Sequence, residues 1–158
     1  MTDPLDLIRT LFDRYQELDH AGMSQCYHDN ATFEDIAFQL NNKQQIGTMW
    51  HMICRHGIEV VVADESPRLV GEEVVADITV TYNFSDSGRK VVSPIACFFR
   101  FRDGLIIEQR DEADPVDWAR KAIGGLKGWI AGHFGFVRRL VARRKIREFQ
   151  ESLSRQAA

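Results

Sequence analysis

Cysteine and proline are scarce in this chain: three Cys and four Pro among 158 residues. Cys26, Cys54 and Cys97 are odd in number, far apart and at no metal-ligand spacing. That pattern excludes a disulfide framework and predicts reduced thiols in a cytoplasmic protein. No apolar run reaches the roughly 18 residues that a membrane span requires. The opening MTDPLDLIRT is acidic and already amphipathic, which predicts no signal peptide. There is no Gly-rich phosphate loop and no G-x-S-x-G elbow. The histidines, His20, His28, His51, His56 and His133, pair with no second ligand at metal spacing. Neither a metal nor a cofactor is expected.

What is present suits one globular domain. Apolar residues make up 44% and charged residues 27%, both ordinary for such a domain. A chain of this size buries roughly two-thirds of its unfolded surface and needs no covalent staple. The net charge of −3 hides an asymmetry. Residues 1–119 hold 10 basic and 21 acidic side chains, and residues 120–158 hold 10 basic and 2 acidic. A split that sharp predicts two parts in different surroundings: a body over 1–117 and a basic tail over 118–158.

The periodicity of the body predicts an α+β fold. Asp3 and Pro4 suit a helix start, and Ile8, Leu11, Phe12, Tyr15 and Leu18 fall on one stripe of a helix over 4–20. A short helix is predicted over 22–28, a strand over 31–36, and a second long helix over 43–55. Strands follow over 59–66, 73–84, 89–102 and 105 to about 113, with Asp103-Gly104 as a tight hairpin signal. Pro115 ends the last strand and opens a helix. Helices followed by a meander of long strands is an α+β order.

The alternation turns several polar groups inward. Tyr15 lies on the buried stripe of the first helix. Asp35 shares a strand face with Ala31 and Phe33. Asp111 shares a face with Leu105, Ile107, Gln109 and Ala113. A carboxylate on an apolar face is costly unless paired or protonated, so each needs a reason. Structural reasons stand open: Asp35 could accept amides of the turn that follows it, Asp111 could pair with Arg110 or a loop amide, and Tyr15 could be core. Asp77 shares its face with Thr79, Thr81 and Asn83, which predicts a solvent-facing or subunit-contact position.

The runs Asp13-Arg14-Tyr15, Ala31-Thr32-Phe33-Glu34-Asp35, Ser93-Pro94-Ile95 and Phe99-Arg100-Phe101 resemble ketosteroid isomerase. The run from Phe99 through Arg102-Asp103-Gly104 to Asp111 is similar to the closing hairpin of SnoaL-like polyketide cyclases and limonene epoxide hydrolase. All belong to the nuclear transport factor 2-like superfamily. The resemblance covers residues 4 to about 117. It implies a cone-shaped, cystatin-like α+β fold, with a curved antiparallel sheet wrapped around N-terminal helices and followed here by a C-terminal helical extension.

The resemblance also implies roles. Tyr15 matches a tyrosine that donates to a developing oxyanion, and Asp35 matches a general base. Asp111 matches an acid of the cyclases and the hydrolase. The isomerase's second oxyanion donor, a protonated aspartate, falls on Ala96 or Cys97, neither of which is a carboxylic acid. The hydrolase's Arg-x-Asp pair finds only Val75-Ala76-Asp77. The implied ligand is a small apolar molecule, with Phe33, Met49, Trp50, Ile78, Tyr82, Cys97, Phe99 and Gln109 expected to line its pocket. A homodimer through the sheet is implied as well. A non-catalytic ligand-binding or dimerisation module of the same fold is the alternative.

The tail carries Gly125, Gly128, Gly132 and Gly135 at helical spacing, then Arg138, Arg139, Arg143, Arg144, Lys145 and Arg147 beside apolar residues. Such a segment either packs its charge against the acidic body or a partner subunit, or lies on an anionic membrane surface through residues 123–153. Nucleic acid is not expected, because an acidic body repels phosphates.

Overall fold

Asp3 accepts a hydrogen bond from the Leu5 amide at 2.7 Å, and Pro4 occupies the first turn of helix α1, Pro4–Gln16. In the computed structural model, which describes residues 2–157, the stripe Leu7, Ile8, Leu11, Phe12 and Tyr15 is buried. Asp19 caps the short helix α2, His20–Gln25. Strand β1 then starts at Tyr27 and runs to Glu34, so the segment expected to stay helical to residue 28 is already extended. Cys26 and Tyr27 are buried, and Ile106 donates its amide to the Cys26 carbonyl, which draws this stretch into the sheet.

A two-residue strand β2, Gln39–Leu40, folds back on the end of β1. Asn42 caps helix α3, Lys43–His56, and Gly57 ends it at φ 85°. Strands β3 (Glu59–Val62), β4 (Arg68–Val70), β5 (Glu73–Asn83), β6 (Lys90–Arg102) and β7 (Leu105–Glu112) complete the sheet. The spatial order is β2-β1-β7-β6-β5-β3, with β4 also on β5. Every pair is antiparallel but one: β1 lies parallel to β7. The curved sheet and α1 and α3 enclose one apolar core, in which Ile8, Met23, Met49 and Phe99 are fully buried. Each such side chain contributes roughly 1.5–3 kcal/mol of burial.

One irregularity decides which side chains of β7 face inward. Arg100 pairs with Glu108 and Phe101 with Ile106, so Ile107 is an extra residue. Ile106 is therefore buried on one side of the bulge, and Gln109 on the other. The expected inward pair Leu105 and Ile107 is corrected to Ile106.

Three helices follow the sheet: α4 (Pro115–Ala122), α5 (Gly125–His133) and α6 (Gly135–Ala157). Asp114 caps α4 through the amides of Val116 and Asp117. Helix α4 packs on β6, and α6 packs on α3, so the basic tail returns to the body. None of the described helices is long and apolar enough to cross a membrane.

Candidate active site

The parallel register of β1 and β7 places Phe33 beside Gln109 and Glu34 beside Arg110. Asp35 and Asp111 come next on that ladder, one residue beyond its last pair. Neighbouring strands lie about 4.8 Å apart, so the register brings two acids to adjacent positions. On the other side of Asp111, β6 supplies Cys97 as its antiparallel partner.

Asp35 sits in the turn that leaves β1. Its Oδ1 accepts the amides of Ala37 at 2.7 Å and Phe38 at 2.6 Å. This is the local side-chain turn that Asp favours. Burial pushes its carboxyl up to about 6, against those two amides and the more distant Arg139 and Arg138, which hold it down.

Asp111 is pushed up to about 7, chiefly by burial and further by the charge of Asp35, while hydrogen bonds from Gln109 and Cys97 oppose the rise. The Gln109 bond runs from Nε2 to Oδ1 at 2.9 Å. Behind it stands a buried chain: Trp50 Nε1 donates to the Tyr27 hydroxyl at 3.1 Å, and that hydroxyl donates to Gln109 Oε1.

Tyr15 packs on Trp50 with ring centroids 5.0 Å apart. Burial, and next the nearby Asp111, raise its hydroxyl well above the usual value, so it stays protonated and able to donate. Tyr82 has its hydroxyl engaged by Trp118 Nε1 at 2.7 Å. Trp118 only donates, so the Tyr82 proton remains available to a ligand.

These groups open into one cavity of about 1000 Å³. Its inner wall includes Tyr15, Phe33, Asp35, Trp50, Tyr82 and Asp111. Its outer wall is the tail, including Ile130, Val141 and Phe149. The tail is latched on both sides of the mouth. Arg138 Nε donates to the Ile36 carbonyl at 2.6 Å, and Arg139 pairs with Glu34 at 3.0 Å. Across the opening, Lys145 binds Asp86 at 2.8 Å and Ser85 at 3.0 Å.

Of the expected pocket residues, Phe33, Trp50 and Tyr82 line this cavity. Met49, Ile78, Cys97, Phe99 and Gln109 do not, and their assignment is corrected. Met49, Cys97 and Phe99 are fully buried among core side chains, Ile78 packs in the same core, and Gln109 lies behind Asp111. Asp77 is held off the site by Arg68 at 2.8 Å. Sequence reasoning missed Tyr27, Ser93, Trp118 and the tail residues. The alternation of β6, which buries Ser93 with Val91, is the one signal that marks Ser93.

The sequence profile described as SnoaL-like domain matches residues 8–109. The chain belongs to the SnoaL-like domain family. The match covers most of the body, ends within β7 before Asp111, and leaves out α4 to α6. No curated protein matches the sequence at a significant level.

Solved structures share the SnoaL-like fold at low identity. A candidate polyketide cyclase from Pseudomonas putida is 16% identical over 77% of this chain and 99% of its own, with a TM-score of 0.67. A protein from Catenulispora acidiphila with a ketosteroid isomerase-like fold is 13% identical over 77% and 94%, with a TM-score of 0.64. An LEH-like epoxide hydrolase of M. tuberculosis is 17% identical over 84% and 93%, with a TM-score of 0.59. NTF2-like and cystatin-fold proteins match as well.

Proposed function

We propose that this SnoaL-like protein is an acid–base enzyme acting on a small apolar carbonyl or epoxide-like molecule. The observation that carries the reading is the pair Asp35 and Asp111, two cavity carboxylates raised to about 6 and about 7. Near neutrality Asp35 is mainly ionised and fit to take a proton, while Asp111 is partly protonated and fit to give one. Carboxylates tuned apart by their surroundings divide acid and base roles.

For a carbonyl substrate, Asp35 removes a proton from the adjacent carbon. Tyr15 donates a hydrogen bond to the enolate oxygen that forms. Asp111 delivers its proton to the carbon framework or to a leaving oxygen. A donor aimed at developing charge in a dry site is worth several kcal/mol. The pairing of this domain into a homodimer through its sheet belongs to the same proposal.

The test is turnover over a panel of enones, polyketide-like carbonyls and epoxides. A responsive substrate should show a bell-shaped pH profile, rising through about 6 as Asp35 ionises and falling through about 7 as Asp111 does. Asp35→Asn and Asp111→Asn should each lower turnover at least about tenfold with folding intact. A fully active double variant ends the reading.

The two amide bonds to Asp35 Oδ1 favour a second reading, in which the carboxylate shapes its turn and the cavity only binds a ligand. In that case Asp35→Ala loosens the 35–38 turn and ligand affinity together, Asp35→Asn, whose Oδ1 still accepts both amides, preserves them, and no panel member is turned over by the wild type.

A further inference from the structure

Helices α5 and α6, with Phe134 between them, turn six large apolar side chains to solvent. Leu126 is 73% exposed, Trp129 55%, Ile130 37%, Phe134 45%, Phe136 65% and Leu140 59%. Three of them form a connected run: the Trp129 and Phe134 rings lie 6.3 Å apart, and those of Phe134 and Phe136 6.1 Å. The arrangement follows from the glycines. A Cβ on Gly128 would lie 2.8 Å from the Ala119 carbonyl oxygen, and one on Gly132 would lie 3.0 Å from Val116 Cα. That face of α5 is closed against α4. Leu126, Trp129 and Ile130 are left on the outer face.

On α6 the patch runs into positive charge. Phe136, Leu140, Arg143, Arg144 and Arg147 fall within one face at helical spacing, and all are exposed. Arg144 approaches Glu148 at 3.6 Å, whereas Arg143, Arg147 and Lys127 form no ion pair among the described residues. An apolar face of this extent bordered by free cations marks an interaction surface.

We propose that this face docks on an anionic lipid surface. Its aromatic and aliphatic side chains enter the boundary between headgroups and acyl chains, and Arg143, Arg147 and Lys127 meet the anionic headgroups. A second copy is a poorer occupant. Across a two-fold axis the same patch meets itself, and the apolar side chains of that patch offer Arg143 and Arg147 no acidic partner. Lys127 and Ile130 also belong to the cavity wall, so a docked face adjoins the cavity in which an apolar ligand would lie. The proposal stands apart from the catalytic reading and does not require it.

The test is flotation of the full chain with vesicles of phosphatidylcholine, with and without phosphatidylglycerol. At low salt the protein should bind the anionic vesicles, and bind neutral ones at least about tenfold more weakly. Trp129→Ser with Phe136→Ser should weaken that binding about tenfold, and so should Arg143→Gln with Arg147→Gln. Melting temperatures should hold, since all four side chains are exposed. Should the aromatic pair disturb folding, the arginine pair carries the test alone. No binding to anionic vesicles at low salt overturns the proposal, as does wild-type binding by the arginine pair. A dimer that the Trp129→Ser, Phe136→Ser protein loses in light scattering also overturns it, because a second copy then covers the face.

Discussion

Gln109 donates from Nε2 to Oδ1 of Asp111 at 2.9 Å, and the direction of that bond is fixed by the two buried residues behind it. An indole N–H only donates, so the Tyr27 hydroxyl accepts from Trp50 and must pass its own proton onward. The acceptor it reaches is Gln109 Oε1, which leaves Nε2 facing the acid. Asp111 Oδ1 is thus an acceptor in both protonation states. When the carboxyl is protonated, the proton sits on Oδ2.

Replacing Gln109 with Leu removes both ends of this relay. The buried Tyr27 hydroxyl loses its acceptor, a loss of about 1–3 kcal/mol measurable by urea denaturation. Asp111 also loses the donor that holds its carboxyl down. Its titration midpoint, followed by carbon NMR of the carboxyl, should move up from about 7. A midpoint that stays in place would show that Gln109 fills space and does not tune the acid.

The same carboxyl makes stability depend on pH. Its folded value, about 7, lies above the ordinary 3.8, so the folded state holds a proton that the unfolded state has released. Stability from this group is full below about pH 4 and is lost as pH rises through about 7. Asp35 adds a loss of the same sign, ending near pH 6. Asp111→Asn keeps an oxygen for Gln109 to donate to and removes the titration. It should stabilise the protein at pH 8 by at least about 1 kcal/mol and change little at pH 4, because one pKa unit is worth about 1.4 kcal/mol. Equal effects at both pH values would be incompatible with a raised Asp111.

Much of the fold was legible because local rules agree with it. The α1 stripe, the Asp3-Pro4 start and the long alternations of β5 and β6 are period signals that tertiary packing did not override. Asp103 and Gly104 adopt φ of 54° and 75°, as a tight hairpin turn requires. The site was legible only in part. Asp35 and Asp111 stand out as acids on apolar faces, but their adjacency comes from a parallel pairing across the sheet. The bulge at Ile107 cannot be read from alternation, and it reverses the faces of the residues before it. The tail read as an extension, since its bonds to the mouth join residues as far apart in sequence as Arg138 and Ile36.

That last contact gives a third prediction. Arg138 holds the Ile36 carbonyl, inside the turn whose amides at Ala37 and Phe38 secure Asp35. Arg138→Leu should release the turn and also remove one of the charges that hold the Asp35 carboxyl down. Hydrogen exchange at Ala37 and Phe38 should quicken at least about tenfold, the change expected when a charged bond of about 1.5–3 kcal/mol is lost. Exchange at Tyr27 and Ile106, deep in the sheet, should remain at the wild-type rate. Uniform acceleration across all four would mean the variant weakens the whole fold and not the turn.

Gly128 sets two effects of opposite sign against each other. Alanine in a helix interior is favoured over glycine by about 1 kcal/mol. Its Cβ, however, would lie 2.8 Å from the Ala119 carbonyl oxygen, a backbone atom that cannot swing aside. Helix α5 would have to lift from α4, and forcing extra volume into a packed contact costs about 1–3 kcal/mol. The steric effect should win, so Gly128→Ala should lower the melting temperature. Binding of an apolar fluorescent probe should rise as the outer wall of the cavity loosens. Gly125 has no atom within 4 Å of its Cβ position, but its φ of 60° already strains any side chain, so it is no control. Lys127→Ala is the better control for stability: it changes an exposed side chain of the same helix and should leave the melting temperature at the wild-type level. A more stable Gly128→Ala protein would mean that α5 is free to move away from α4 and that the wall is not rigidly built.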